Sequence, residues 1–305
     1  MLKYPDMKIE RVAIIGAGEI GLALGGVIAQ KAEVFYWDKN EKKLLGLSGE
    51  DLSLPEIMTG AQAIFLCLPT AGLKEAIFCL SPYLRADHIL ITLAKGLEEG
   101  TGRTALEFVS KIIHKGLVGA LAGPLVAEEI AGGRPGAGVL VGKGRKMSAV
   151  AELFAGSKIK ISFSTDLIGA SLAGVLKNIY ALGAGMGEAL GWGSNARALY
   201  LTEAQGEILA IGKMFGGKTI TLLGPAGLGD FLATALSKNS ANFYVGWQLA
   251  RQEKIDRSSE GLVSLPLLLG RLGNRAKNFP VLMMLKKIIL DDQSAEEIFR
   301  QGGLI

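Results

Sequence analysis

Two short stretches of this sequence carry residues whose type and spacing suit chemistry. One is GVLKNIYALG, residues 174–183, in which Lys177 is the single charged residue between Asp166 and Glu188. Burying an ammonium costs several kcal/mol unless something pairs with it, so the lysine needs a reason to be there. Three readings are open: a membrane span, a core helix whose lysine reaches back to water, or a helix that aims an amine into a ligand cleft. If the stretch is helical, Ala170, Ala173, Gly174, Ala181 and Ala184 lie near the face of Lys177 at spacings of three or four. Small side chains there admit a close neighbour or a ligand. Length alone would let Leu167 to Gly187 cross a bilayer, but the run holds Gly169, Gly183, Gly185 and Gly187 beside its central lysine, and no other segment resembles a span. No membrane span is expected.

The other stretch is GAGEIG, residues 16–21. It follows directly on the apolar run RVAII, so Gly16, Gly18 and Gly21 match G-x-G-x-x-G at a strand-to-helix junction. The first glycine permits the turn, the second the approach of a pyrophosphate, and the third close packing of helix on strand, with amides at the helix start facing the phosphates. Glu19 and Ile20 lie in the same junction; a carboxylate at Glu19 suits the helix dipole but must point away from a pyrophosphate. The next strand-like run, EVFYWD, ends on Asp38, at roughly the distance past the glycines where an acid binds the adenosine ribose hydroxyls. An acid there disfavours a 2′-phosphate, so NAD is expected ahead of NADP, with Lys39 and Lys42 able to soften the preference.

The elements that must hold these residues are legible from periodicity. RVAIIG, EVFYWD, AIFLCL, HILITL, GLVGAL and GVLVG read as strands and KIKISF as one more, while SLPEIM, with Ser53 as cap and Pro55 early, TALEFVSKIIH and MSAVAELFAG read as crossover helices. The pattern is that of an α/β, Rossmann-like domain with a parallel sheet. After Ser164 the strand signal stops and the chain reads as helices broken by GWGS, FGGK, GPAGLGD and KNFP. The expected organisation is a dinucleotide-binding domain over residues 1–164 and a mostly α-helical substrate and catalytic domain over 165–305, a length sufficient for two cores.

With 33 basic against 29 acidic residues the net charge is +4, and no basic block interleaved with aromatics is present. That excludes nucleic acid as an expected partner and leaves a small anionic ligand. Cys67 and Cys79 sit in apolar surroundings, which fits a reduced cytosolic protein rather than a disulfide framework. The first apolar run, Val12 to Ile15, is too short for a signal peptide, so a cytoplasmic location is expected.

AKGLE at 94–98, AGPLVAEE at 122–129, GVLKN at 174–178, SNARA at 194–198, AGLGD at 226–230 and SKN at 237–239 occur in one order, and SEGL at 259–262 with NFPV at 278–281 carries the pattern almost to the C-terminus. Together they resemble the NAD(P)-dependent glycerol-3-phosphate dehydrogenases. The resemblance implies reversible reduction of dihydroxyacetone phosphate to sn-glycerol 3-phosphate, supplying phospholipid synthesis, by an enzyme that needs no metal and is expected to be a homodimer. It implies Lys177, Asp230 and Lys95 as catalytic residues. It implies Lys95, Gly123, Asn178, Asp230, Thr234, Ser237, Lys238 and Asn239 as substrate contacts. For the cofactor it adds Lys95, Ala127, Lys238 and Glu260 to Gly16, Gly18, Glu19, Ile20, Gly21 and Asp38. The histidines His88 and His114 lie near no motif that would make them acid or base.

The chain departs from the family pattern at Lys238, where arginine is usual. A lysine replaces a planar two-pronged donor by a point charge, which bears on substrate recognition more than on fold. Leu125 replaces a small polar residue and Ser194 an aspartate. Two rival readings are a reductase of another small keto acid or phosphorylated ketone, such as ketopantoate, and a non-catalytic NAD-sensing regulator. The sequence AGLGD followed by SKN argues against the first, and the presence of Lys177 and Asp230 against the second.

Overall fold

The computed structural model describes residues 8–303. The chain forms two compact units: one runs to Ala94 and resumes over Ala105–Leu167, the other comprises Lys95–Thr104 and the chain from Ile168 onward. The segment 95–104, read in sequence as part of the first domain, thus belongs to the second unit. The reason is Leu97, which is 1% exposed within the helical core, with its N–H donating to Ser264 Oγ at 3.2 Å.

In the first unit seven strands, β1 (Arg11–Ile15), β2 (Glu33–Trp37), β3 (Ala63–Leu66), β4 (Ile89–Thr92), β5 (Leu117–Ala122), β6 (Gly136–Val141) and β7 (Ile159–Ser164), form one sheet in the order 2-1-3-4-5-6-7. The first five are mutually parallel. The β5–β6 pair is antiparallel, which the expectation of a parallel sheet did not include; β6 and β7 are then parallel to each other. The short span between them, containing only α5 (Ala127–Ala131), brings β6 back beside β5 in the opposite direction without a full crossover.

The near-continuous apolar runs of the inner strands follow from burial on both faces. Val12, Ile14 and Phe65 face one core with α1 (Glu19–Ile28), α5 and α6 (Lys146–Glu152), while Ala13, Ile15 and Leu66 face the other. That second face is covered by α2 (Leu54–Gly60), α3 (Thr70–Leu80) and α4 (Ala105–Ile112). At α2 the expected cap is present as a capping box between Ser53 and Glu56.

The second unit is helical: α7 (Leu167–Ala189, with Leu167 outside the unit), α8 (Ser194–Met214), α9 (Thr219–Leu222), α10 (Asp230–Ala235), α11 (Ala241–Ala250), α12 (Glu260–Leu272), α13 (Pro280–Ile289) and α14 (Ala295–Gln301). Length and composition would allow α7 to cross a membrane, but 78% of its most apolar stretch is buried within the fold, so it is the core helix of this unit. The glycines of α7 and α11 let the helices cross closely: a Cβ on Gly246 would collide with the Leu182 carbonyl oxygen. Glu207 on α8 fixes α7 to α13, accepting from Tyr180 Oη at 2.7 Å and from the Val281 and Leu282 amides at 2.7 and 2.9 Å. The carboxylate thereby serves orphan donors at the start of α13, which Pro280 opens.

GPAGLGD, read in sequence as a glycine-rich turn, is instead a π-helical turn over Pro225–Gly229 that runs directly into α10. Gly227 permits it, since a Cβ there would strike the Leu222 backbone. Irregular turns of this kind re-aim the next residue, and here that residue is Asp230.

Candidate functional site

Two constellations stand out, one in each unit. In the first, Gly16 follows β1 at φ 105°, a conformation that L side chains rarely adopt. A Cβ on Gly21 would strike the Gly16 carbonyl oxygen, whereas one on Gly18 would meet nothing within 4 Å. Gly21 therefore holds the helix against the turn, and Gly18 leaves open space in front of the N-terminus of α1. Gly18 is the N-cap and offers no side-chain cap, so the first amides of α1 are available to an anion. Glu19 is exposed, and Ile20 is half-buried against the core below.

Asp38, 8% exposed just past β2, accepts from the Ala17 amide through Oδ2 at 3.0 Å and from the Asn40 amide through Oδ1 at 2.9 Å. The acid thus also braces the glycine turn. The lysine beside it is Lys43, with Nζ 3.6 Å from Asp38 Oδ2, rather than Lys39, which pairs with Glu75, or Lys42. The open Gly18 cradle and the buried acid at adjacent strand ends fit an adenine dinucleotide. Gly123 (φ 105°) follows β5 on the same carboxyl edge of the parallel strands, and Ala127 opens α5 just beyond. Among the described residues no group of three or more His, Cys, Asp or Glu is placed to hold a metal.

In the second unit the lysine of α7 finds its reason. Lys177 is 7% exposed and donates to Asp230 Oδ1 at 2.7 Å and to Thr234 Oγ1 at 2.8 Å. The Thr234 hydroxyl passes its own proton to the Asp230 carbonyl at 2.8 Å, so it accepts from the ammonium. Two of the three donors of Lys177 are thereby used, and one remains to give. The other carboxylate oxygen of Asp230, Oδ2, binds Lys95 Nζ at 2.7 Å.

One buried carboxylate between two ammonium groups leaves the cluster net positive. Burial lowers the Lys177 pKa, the Asp230 charge raises it and the Lys95 charge lowers it again, to about 8. Burial pushes the Asp230 carboxyl up, but the Lys177 and Lys95 charges outweigh it and hold the group below the usual carboxylate range. Such a cluster binds an anionic or developing negative oxygen and can exchange a proton with it near neutral pH.

Lys95 is held at three points. Its carbonyl accepts from Asn178 Nδ2 at 2.8 Å, its stem lies over Gly174, and its head meets Asp230. The structure therefore brings Lys177, Asp230, Thr234, Lys95 and Asn178 together. It does not bring Lys238 to them. Lys238, in the turn 237–239 between α10 and α11 with Ser237 and Asn239, binds Glu188 at 2.7 Å, and Glu188 also binds Arg197. Glu188 shares the Lys177 face of α7 but lies three turns on, about 16 Å along the axis. Glu260 opens α12 and is half-buried.

Reasoning from sequence missed Glu188 as the partner of Lys238, and it missed Asn242. The signal for Asn242 was available: a polar residue inside the apolar run ANFYVGWQLA.

Residues 166–300 match the family described as NAD-dependent glycerol-3-phosphate dehydrogenase C-terminus, and residues 49–148 match the corresponding N-terminus. The chain is 28% identical to glycerol-3-phosphate dehydrogenase [NAD(P)+] 2 of Sphingopyxis alaskensis, over 95% of each chain. It is 31% identical to glycerol-3-phosphate dehydrogenase [NAD(P)+] of Clostridium tetani, over 82% of this chain and 79% of that one. Among solved structures, glycerol-3-phosphate dehydrogenase from Coxiella burnetii superposes with a TM-score of 0.87 at 26% identity, covering 96% of this chain and 98% of that one.

Proposed function

The chain belongs to the NAD-dependent glycerol-3-phosphate dehydrogenase family, and we propose that Lys177, Asp230 and Lys95 carry the family's reaction in it. The protein is an oxidoreductase that uses NAD or NADP to interconvert dihydroxyacetone phosphate and sn-glycerol 3-phosphate. The observation that carries the residue roles is the Asp230 bridge, which keeps a buried lysine charged, oriented and short of one acceptor.

The Gly18 cradle and the α1 amides would hold the pyrophosphate, and Asp38 the adenosine ribose. When bound, the nicotinamide supplies or accepts the hydride at the carbon that bears the reacting oxygen. Lys177 donates its remaining N–H to the ketone oxygen and, as that oxygen becomes an alkoxide, transfers the proton to it, leaving a neutral amine that solvent reprotonates. In the reverse direction the neutral amine takes the hydroxyl proton. Asp230 and Thr234 fix the amine's direction, and Lys95 adds positive charge beside the developing oxyanion. Asn178 and the turn Ser237–Asn239 contribute hydrogen bonds, and Lys238 would have to leave Glu188 and swing toward the Lys177 cluster to serve as the cation for the phosphate.

The buried acid at Asp38 supports NAD over NADP. The free thiols Cys67 and Cys79 support a reducing, cytoplasmic setting, and the family likeness supports a homodimer.

The test is NADH oxidation with dihydroxyacetone phosphate beside unphosphorylated dihydroxyacetone and ketopantoate, in the wild type and in Lys177→Met. Turnover should require the phosphorylated ketone, and the variant should lose about two to four orders of magnitude in kcat while still binding NADH. Equal rates with and without the phosphate would sink the substrate. Unchanged turnover in a folded Lys177→Met would sink the role of the lysine.

A further inference from the structure

Asn242 lies on α11, 9% exposed, and its side chain is hydrogen-bonded to the uncharged groups of Gly261, Ser259 and Asn178. Its Oδ1 accepts from the Gly261 amide at 2.9 Å and from Ser259 Oγ at 2.8 Å, both at the start of α12. Its Nδ2 donates to Asn178 Oδ1 at 3.0 Å, and Asn178 Nδ2 donates to the Lys95 carbonyl at 2.8 Å. The direction of this chain is dictated by its two ends. A backbone N–H can only donate and a backbone carbonyl can only accept, so the two amides between Gly261 and Lys95 must lie head to tail. Either amide flipped alone would set oxygen against oxygen or donor against donor in a buried site, at the cost of leaving polar groups unpaired.

The packing leaves the chain little slack. A Cβ on Gly261 would strike the Asn178 carbonyl oxygen, so α12 begins in direct contact with the α7 backbone beside Lys177. At the far end the Lys95 stem rests on Gly174 and its ammonium on Asp230. Lys95 is thus confined at its carbonyl, along its stem and at Asp230, the carboxylate it shares with Lys177.

We propose that Asn242 is a positioning residue: through Asn178 it ties the first turn of α12 to the Lys95 carbonyl and so sets where Lys95 meets Asp230. The proposal deepens the assignment of the Lys177 cluster to ketone reduction and rests on it. The proposed route from Asn242 to the reaction runs through Asn178, and coupling between the two residues separates it from a residue that merely supports the fold.

The experiment is a double-mutant cycle with Asn242→Leu, Asn178→Ala and both together, read by kcat and KM for dihydroxyacetone phosphate and by NADH affinity. Asn242→Leu alone is expected to lower kcat about tenfold or more, with NADH affinity held. In the Asn178→Ala background the same change should add less than twofold, because the link is already cut. Asn242→Asp keeps the acceptor for Gly261 and Ser259 and sets a carboxylate oxygen where Asn178 needs a donor, so it should lose kcat comparably even if Asn242→Leu folds poorly. Independent, multiplicative losses in the two backgrounds would overturn the proposal, as would wild-type kcat in Asn242→Asp. The same cycle read by amide hydrogen exchange over residues 96–104 needs no substrate. Faster exchange in Asn242→Leu that disappears as an added effect in the double variant supports the relay even if dihydroxyacetone phosphate is not turned over, and additive exchange rejects it.

Discussion

Gly174 and Lys95 are in direct contact: a Cβ built on Gly174 would stand 3.2 Å from Lys95 Cγ, closer than a comfortable approach. The missing side chain is the space in which the lysine stem lies. Glycine inside a helix costs about 1 kcal/mol against alanine. Gly174→Ala should therefore gain up to about 1 kcal/mol in urea unfolding if the stem can yield by a few tenths of an ångström. The stem is pinned at its carbonyl and at its ammonium, so kcat/KM should fall several-fold, given that a 1 Å misplacement can cost about 10²-fold. A stabilised variant with undiminished kcat/KM would show that Lys95 has slack.

The pH dependence follows from Lys177, whose pKa is lowered to about 8 by burial and the Lys95 charge against the opposing charge of Asp230. In the proposed mechanism reduction uses the ammonium, so kcat for dihydroxyacetone phosphate should fall as pH rises through about 8. Oxidation of glycerol 3-phosphate uses the neutral amine and should rise over the same range. Lys95→Met removes the neighbouring charge and should move both limbs upward. Profiles that stay in place in that variant would mean that another group titrates.

Asp38 has two duties. Wild-type kcat/KM should be higher with NADH than with NADPH, and Asp38→Gly should shrink that ratio while raising KM for both, because the Ala17 and Asn40 amides lose their acceptor. Asp38→Asn retains an acceptor and should change the ratio with less effect on KM. A wild-type preference for NADPH would assign the coenzyme choice to Lys43 rather than to the acid.

The phosphate cation is the fourth test. In the structure Lys238 is paired with Glu188, so binding a phosphate means exchanging one anion for another. Lys238→Ala should raise KM for dihydroxyacetone phosphate about tenfold or more with a smaller change in kcat, as expected for a contact made before and throughout hydride transfer. Glu188→Gln should lower KM, since it releases the lysine. Unchanged KM in Lys238→Ala would place the phosphate on another cation.

The sequence by itself determined what depends on short range. The continuous apolar runs of β1, β3 and β4, the glycine turn at 16–21 with Asp38 at its spacing, the Ser53 cap and the helix around Lys177 each follow from the chemistry of neighbouring residues. The tertiary structure decided what depends on partners far apart in the chain. Lys177 and Asp230 are 53 positions apart, Asn178 and Asn242 are 64, and Lys95 and Asp230 are 135. No periodicity links them; only the packing of α7, α10, α11 and the segment 95–104 aims their polar ends at one another. The same holds for Glu188, which in sequence merely closes a charge-free run, and in the fold holds Lys238. A buried charge is tolerated only where long-range packing supplies its partner, so the motifs could name Lys177 and Asp230 while only the fold set the contact between them.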